Sequence, residues 1–368
     1  MSRSIPISES LRRRLADLVA VDTQNPSGDE RPVIAKLAAE LRALGASAVE
    51  TFSVERHHAV FAVFGPSPRI LVNAHVDTVP ASAGYTASPL TLVEREGRLY
   101  GLGAADTKGA IAAVLEALAE RAQTGRPVNG TGILFSGDEE RSNSVLRAFI
   151  QSGRGRGFER AIVCEPTRCH VGIRHRGVAA ARGTTTSPGG HSSRADSLPA
   201  PMVALSRAAV ALDAWGRGRR NDGPPGFEGL CLNVAGIDGG VAFNVIPPRA
   251  TLTVSFRPWP GADVLALHRE VEGQARAAAE PDPIAWEVIL ANPPFATRDL
   301  AAFAPLLGNA ARGPVDLQFW TEAALLSEAG IDAVVFGPGD IAQAHAADEF
   351  VETSQLLAAT DAFLQGLP

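Results

Sequence analysis

Apolar positions along the chain follow two alternating patterns, short unbroken runs and longer stretches with a helical period. Val33, Leu37, Leu41 and Leu44 recur three or four residues apart and predict one helix, begun near Asp29, with Pro32 in its first turn and Gly45 at its end. Ile111, Val114, Leu115 and Leu118 mark a second helical face. Ile70 to Val72, Ile133 to Phe135, Ala161 to Cys164 and Ala333 to Phe336 are apolar without alternation. Such runs suit strands covered on both faces, so the pattern predicts an α/β domain with a mainly parallel sheet.

The middle of the chain reads differently. Its order is strand (Arg174 to Gly183), helix (Met202 to Trp215), strand (Leu230 to Gly236), strand (Arg249 to Arg257), helix (Ala262 to Ala279) and strand (Ile284 to Leu290). This is the split β-α-β order of ferredoxin-like α+β domains. Thr251 to Phe256 alternates polar and apolar residues, which predicts one solvated face. The expected organisation is one larger domain made of 1–173 and 291–368, with a smaller α+β domain inserted at 174–290. A chain of 368 residues favours such a division, because single cores stop growing at about 250–300 residues. The stretch from Gly216 to Gly226, with Arg217, Arg219, Arg220, Asp222, Pro224 and Pro225, reads as an exposed loop.

Composition narrows the function. A formal net charge of -6 argues against nucleic acid or an anionic membrane as partner, since both need a clustered basic face. No eighteen apolar residues run together and the first twenty show no signal-peptide pattern, so no membrane span and a cytoplasmic location are expected. Cys164, Cys169 and Cys231 lack metal or disulfide spacing and read as packed or inert. The partner expected is a small molecule.

The chemistry gathers where the apolar runs end, which is where open α/β sheets bind ligands. The four runs lead to His75 and Asp77, to Asp138, Glu139 and Glu140, to Glu165, and to His345; Asp106 lies in the turn after Gly101 and Gly103. His75 and Asp77 share one face of an extended segment, so the acid can hold the ring of a metal-ligating histidine in one tautomer. Three adjacent carboxylates are costly unless cations neutralise them or a raised pKa is useful. Adjacent acids in extended chain point apart, so one can bind metal while the other faces substrate. His57-His58 and the run Arg12 to Arg14 read as solvated surface. Lys108, two positions past Asp106, reads as electrostatic support for the turn.

Taken together, His75-Val76-Asp77-Thr78-Val79-Pro80, Gly101-Leu102-Gly103 through Asp106-Thr107-Lys108-Gly109, Asp138-Glu139-Glu140, Glu165-Pro166-Thr167 and Ala344-His345 resemble the zinc-dependent M20 amidohydrolase/peptidase family over nearly the whole chain. Gly337-Pro338-Gly339-Asp340, Gln343-Ala344-His345 and Phe319-Trp320-Thr321-Glu322-Ala323 resemble the acetylornithine deacetylases, and especially the N-acetylcitrulline deacetylases, within it. The resemblance implies a metallopeptidase-like catalytic domain in which Asp106 bridges two divalent ions, zinc by preference with cobalt or manganese fitting comparably. It pairs His75 with Glu165 at one metal and Glu140 with His345 at the other. It makes Glu139 the general base, Asp77 the residue that orients His75, and His191 the donor to the developing oxyanion. It places Asn244 and Arg257 against a substrate carboxylate, a group that an arginine fork suits.

The activity implied is hydrolysis of an N-acetyl-L-amino acid of arginine biosynthesis, with a homodimer possible among such enzymes. A succinyl-diaminopimelate desuccinylase or small aminoacyl peptidase shares the catalytic core. A non-catalytic metal-dependent binding protein would be expected to have lost a ligand or the base, and this chain keeps them.

Overall fold

The computed structural model describes residues 7–308 and 312–368, and the chain divides into two units, each with its own core. The first comprises 1–173, 297–317 and 321–368; the second comprises 174–296 with 318–320. Met1 to Pro6, part of the segment read for a signal peptide, lie outside the described residues.

In the first unit the unbroken apolar runs form the centre of the sheet. Strands Thr131–Ser136, Ile70–His75, Arg160–Val163 and Asp332–Val335 lie side by side and parallel. The first two are buried along their whole length. The sheet is mixed rather than purely parallel: the hairpin Ala48–Val54 and His57–Phe64 joins one side antiparallel, and His170–His175 joins the other. Helix Arg31–Ala43 takes Pro32 in its first turn and buries Val33, Ile34, Leu37 and Leu41. Gly109–Gln123 buries Ile111, Val114, Leu115 and Leu118 and packs against the closing helix Thr353–Gly366. Together they build one core over that sheet face, with Val72, Ala74, Ile133 and Phe135 beneath them. A three-stranded sheet of Val93–Arg95, Arg98–Tyr100 and Phe350–Glu352 has no counterpart in the sequence pattern, because its strands are too short for a period to show.

The second unit is an antiparallel sheet ordered Asn233–Gly239, Arg249–Phe256, Val178–Thr186, Ala285–Asn292, covered by helices Pro201–Gly218 and Val264–Ala279. Arg249–Phe256 buries alternate residues, Ala250, Leu252, Val254 and Phe256. Asp263 caps the second helix through the N–H groups of Leu265 and Ala266. Two expectations need correction. The strand expected at Arg174 to Gly183 is two strands, because the chain turns at Arg176 and Gly177, where Arg176 donates to the carbonyls of Glu228 and Gly229. The loop expected from Gly216 begins later, since the preceding helix runs to Gly218.

Candidate metal centre

Each parallel strand ends by releasing one or two side chains at the same sheet edge. Ile70–His75 ends in His75, whose Nδ1–H donates to the main-chain oxygen of Asp77 at 2.9 Å. That bond leaves Nε2 as the outward nitrogen, and it lies 2.9 Å from Asp106 Oδ1. Asp106 Oδ2 is in turn 3.5 Å from His345 Nε2, which is 2.9 Å from Glu140 Oε1. Ligating atoms of His75, Asp106 and Glu140 all lie within 4.8 Å of one another, the one such cluster of three or more metal-ligating side chains among the described residues. Glu165 is buried beside them and feels the Asp106 charge. His345 is half-buried, with its backbone in the left-handed region at φ 60°.

The turn carrying Asp106 is held from behind by a residue that no sequence pattern marks. Glu349 is buried, and its carboxylate accepts the N–H groups of Gly103, Ala105 and Asp106 at 2.9, 2.9 and 3.0 Å. Lys108 is buried too and donates to the Val21 carbonyl at 3.2 Å. Gly337 lets the segment before His345 pass against Glu165: a Cβ there would sit 2.7 Å from the Glu165 carbonyl oxygen.

Asp77 is fully buried, and its carboxylate serves more than the histidine. Oδ1 lies 3.5 Å from His75 Nδ1 and accepts the N–H of Glu139 at 3.2 Å, while Oδ2 accepts the N–H of Glu140 at 3.2 Å and Asn25 Nδ2 at 2.6 Å. Asp77→Ala therefore removes the acceptors of both acids' backbone groups. It is expected to lower activity or metal affinity about 10–100-fold, the usual cost of an outer partner of a metal ligand. Unchanged activity and metal content in the variant would show that the Asp77 carboxylate positions nothing here.

Desolvation pushes Glu139 well above the ordinary carboxylate range, opposed by His75 and reinforced by Glu140, Glu322 and Asp106. It pushes Glu165 well up and raises Glu140 for the same first reason. His345 is raised to about 10 by its bonds to Asp106 and Glu140. For His75, burial favours the neutral ring, but bonds to Asp106 and Asp77 outweigh it and raise the pKa. The acids and imidazoles thus share protons where a cation would replace them, which is the donor set of a metal site.

The remaining candidates lie in the second unit. Gly190 and His191 pair with Ile246 and Val245, next to Asn244, whose carbonyl accepts the Ser192 N–H at 3.0 Å. His191 is exposed, and its Nδ1 accepts the Ser193 N–H at 3.2 Å, so its Nε2 carries the proton and is the outward donor. Arg257 is exposed, and its main-chain N–H donates to the Leu230 carbonyl at 2.9 Å. Cys164 and Cys169 are buried and Cys231 is exposed, all as free thiols. Two surface readings are overturned: His57 is only 6% exposed, sitting between two buried acids, Glu30 and Asp138, and the Arg14 side chain is 13% exposed and paired with Glu40 and Glu116. No helix among the described residues is long and apolar enough to cross a membrane.

The family model for peptidase family M20/M25/M40 matches residues 71–367, so the chain belongs to that family and is a metal-dependent hydrolase of linear amides. It is 34% identical over 366 residues to the N-acetyl-L-citrulline deacetylase of Xanthomonas campestris pv. campestris, covering 94% of each chain. To the acetylornithine deacetylase of Myxococcus xanthus it is 33% identical over 374 residues, covering 97% of this chain and 96% of the relative. Its fold matches the M20 metallo-carboxypeptidase Sso-CP2 of Sulfolobus solfataricus with a TM-score of 0.77 at 15% identity, covering 98% and 99% of the two chains. It also matches the Bacillus subtilis YXEP protein, a dinuclear metal-binding M20 peptidase, with a TM-score of 0.69 at 15% identity, covering 96% of this chain and 95% of that one.

Proposed function

We propose that this enzyme hydrolyses an N-acetyl-L-amino acid, N-acetyl-L-citrulline in first place and N-acetyl-L-ornithine in second, releasing acetate in arginine biosynthesis. The observation that carries the reading is the convergence of His75, Asp106, Glu140 and His345 beside Glu139 in a chain that aligns over 94% and 97% of its length with two deacetylases of acetylated amino acids.

His75 and Glu165 would hold one divalent cation, Glu140 and His345 a second, with Asp106 between them; zinc suits the set, and cobalt or manganese fits comparably. Such a pair of ions supplies Lewis-acid charge to the scissile carbonyl and acidifies water near neutral pH. Glu139 takes a proton from the attacking water and delivers it to the leaving nitrogen, a role worth about 10²–10⁴-fold. His191 donates Nε2–H to the carbonyl oxygen as its charge grows. Arg257 and Asn244 bind the substrate carboxylate.

The ornithine side chain is cationic and the citrulline side chain neutral, so an available acid would favour ornithine. Glu322, the acid in Phe319-Trp320-Thr321-Glu322-Ala323, is 1% exposed and accepts from Asn73 Nδ2 at 2.6 Å. Burial also raises its pKa to about 7. Sealed from solvent and bound to Asn73 through Oε2, it is not a free acid for a cationic side chain, which supports the neutral one. Acetate release from zinc-loaded enzyme should be fastest with N-acetyl-L-citrulline in a panel including N-acetyl-L-ornithine, N-succinyl-diaminopimelate and simple dipeptides. Faster turnover of the succinylated substrate or a dipeptide would replace the deacetylase reading with one of those activities.

A further inference from the structure

The Glu139-Glu140 turn begins at Asp138, a buried residue with its backbone in the left-handed region at φ 71°, a conformation that non-glycine residues seldom adopt without support. One side of its carboxylate, Oδ2, is occupied within the turn: it accepts the Ser144 N–H at 2.9 Å and the hydroxyls of Ser142 and Ser144. The Asp138 main-chain oxygen accepts the Asn143 N–H at 2.7 Å, and Asn143 Nδ2 reaches back to the Glu139 oxygen at 3.1 Å. The other side, Oδ1, is buried and has no hydrogen-bond partner among the described residues; its polar neighbour is His57 Nε2 at 3.3 Å.

His57 is fixed from its opposite edge. Its Nδ1 lies 2.8 Å from Glu30 Oε1, and Glu30 Oε2 accepts the His58 N–H at 2.7 Å. Glu30 stands at the N-cap of helix Arg31–Ala43 yet makes no capping bond to it, the first-turn N–H of Arg31 being taken by Asp29 Oδ1 at 3.0 Å. Its carboxylate has turned toward the strand instead. It lies so close to Gly137 that a Cβ there would meet Glu30 Oε2 at 2.0 Å, and Gly137 N–H donates to the His58 carbonyl at 3.0 Å. A carboxylate, an imidazole and a second carboxylate thus run from a helix start to the residue preceding Glu139, all withdrawn from water. Buried polar groups in such a line are costly unless the arrangement is used.

We infer that Glu30 and His57 are positioning residues that act through Asp138 to hold the Glu139-Glu140 turn. The inference rests on the role of Glu139 proposed above. Because reaction rates fall about 10²-fold for a misplacement near 1 Å, a loosened turn is felt in kcat before it is felt in binding.

The test uses His57→Asn, whose shorter amide can still meet Glu30 but cannot reach Asp138, and Glu30→Gln, which keeps the volume and loses one of two acceptors. Amide hydrogen exchange over 137–144, measured with and without zinc, should quicken at least about 10-fold in both variants while the other strands of the sheet keep their protection. In zinc-loaded enzyme kcat should fall about 10–100-fold with KM and metal content within roughly twofold of wild type. The double variant should be no worse than about threefold below the poorer single one, because each breaks a different contact of the same series leading to Asp138. Exchange and kcat within about twofold of wild type in either variant overturn the inference. So does global unfolding of both, since the bridge would then support the core at large. A wild-type enzyme idle on every acylated amino acid defeats the proposed function alone, and the exchange comparison still decides whether the bridge holds the turn.

Discussion

Glu139→Gln is expected to retain bound metal and substrate affinity while kcat falls by about 10²–10⁴-fold, the worth of a general base. The amide keeps the volume and an acceptor oxygen but cannot take a proton. Its neighbour should fail differently. Glu140 Oε1 lies 2.9 Å from His345 Nε2, and a Glu140 carboxylate oxygen lies within 4.8 Å of the His75 and Asp106 ligating atoms, so Glu140→Gln is expected to lower metal content. A neutral amide oxygen is a much weaker donor to a cation than a carboxylate. Asp77 accepts both backbone N–H groups through different oxygens, 3.2 Å each, which fixes the two neighbours to one wall of the turn. Metal analysis beside kcat and KM for the best acetylated substrate decides the assignment. Normal turnover in Glu139→Gln means that Glu139 is not the base, and metal loss there but not in Glu140→Gln means that base and ligand have been exchanged.

The central strands and the ends that carry acids are legible in the sequence because burial on both faces leaves an unbroken apolar run, as at Ile133 to Phe135, and because polar residues follow it at once. The inserted unit is legible from its order of elements and from alternation at Thr251 to Phe256. What stays hidden joins residues far apart in the chain. Asn73 and Glu322 are 249 positions apart, and Glu349 reaches the Asp106 turn from 243 positions away. Neither has a local period to betray it. His57 reads as surface because adjacent histidines on a strand point to opposite faces, and only the hairpin's pairing with Thr131–Ser136 shows which of them turns toward Glu30. The strand break at the start of the second unit is illegible because Arg174 to Gly183 is continuously compatible with strand, and the break at Gly177 depends on its bond to the Pro258 carbonyl.

Removing metal should abolish turnover, and adding zinc or cobalt should restore it, because the proposed water nucleophile depends on a bound cation for its acidity near neutral pH. The same cluster predicts how metal uptake varies with pH. His345, raised to about 10 by Asp106 and Glu140, and His75, raised by its bonds to Asp106 and Asp77 against the pull of burial, both hold protons at neutral pH when no cation is present. Glu139 and Glu165, pushed up by desolvation, favour their protonated forms as well. A cation needs neutral imidazoles and ionised carboxylates, so binding must expel protons, and affinity must rise as pH rises toward about 10. Calorimetric titration of metal-free enzyme with zinc in buffers of different ionisation enthalpy counts the protons released. Release of at least about one proton per chain near pH 7 is expected, together with tighter binding at about pH 8 than at about pH 6. Full activity in protein shown by elemental analysis to hold no metal would reject the catalytic reading, and pH-independent zinc binding without proton release would show that His75 and His345 are not exchanging protons for the cation.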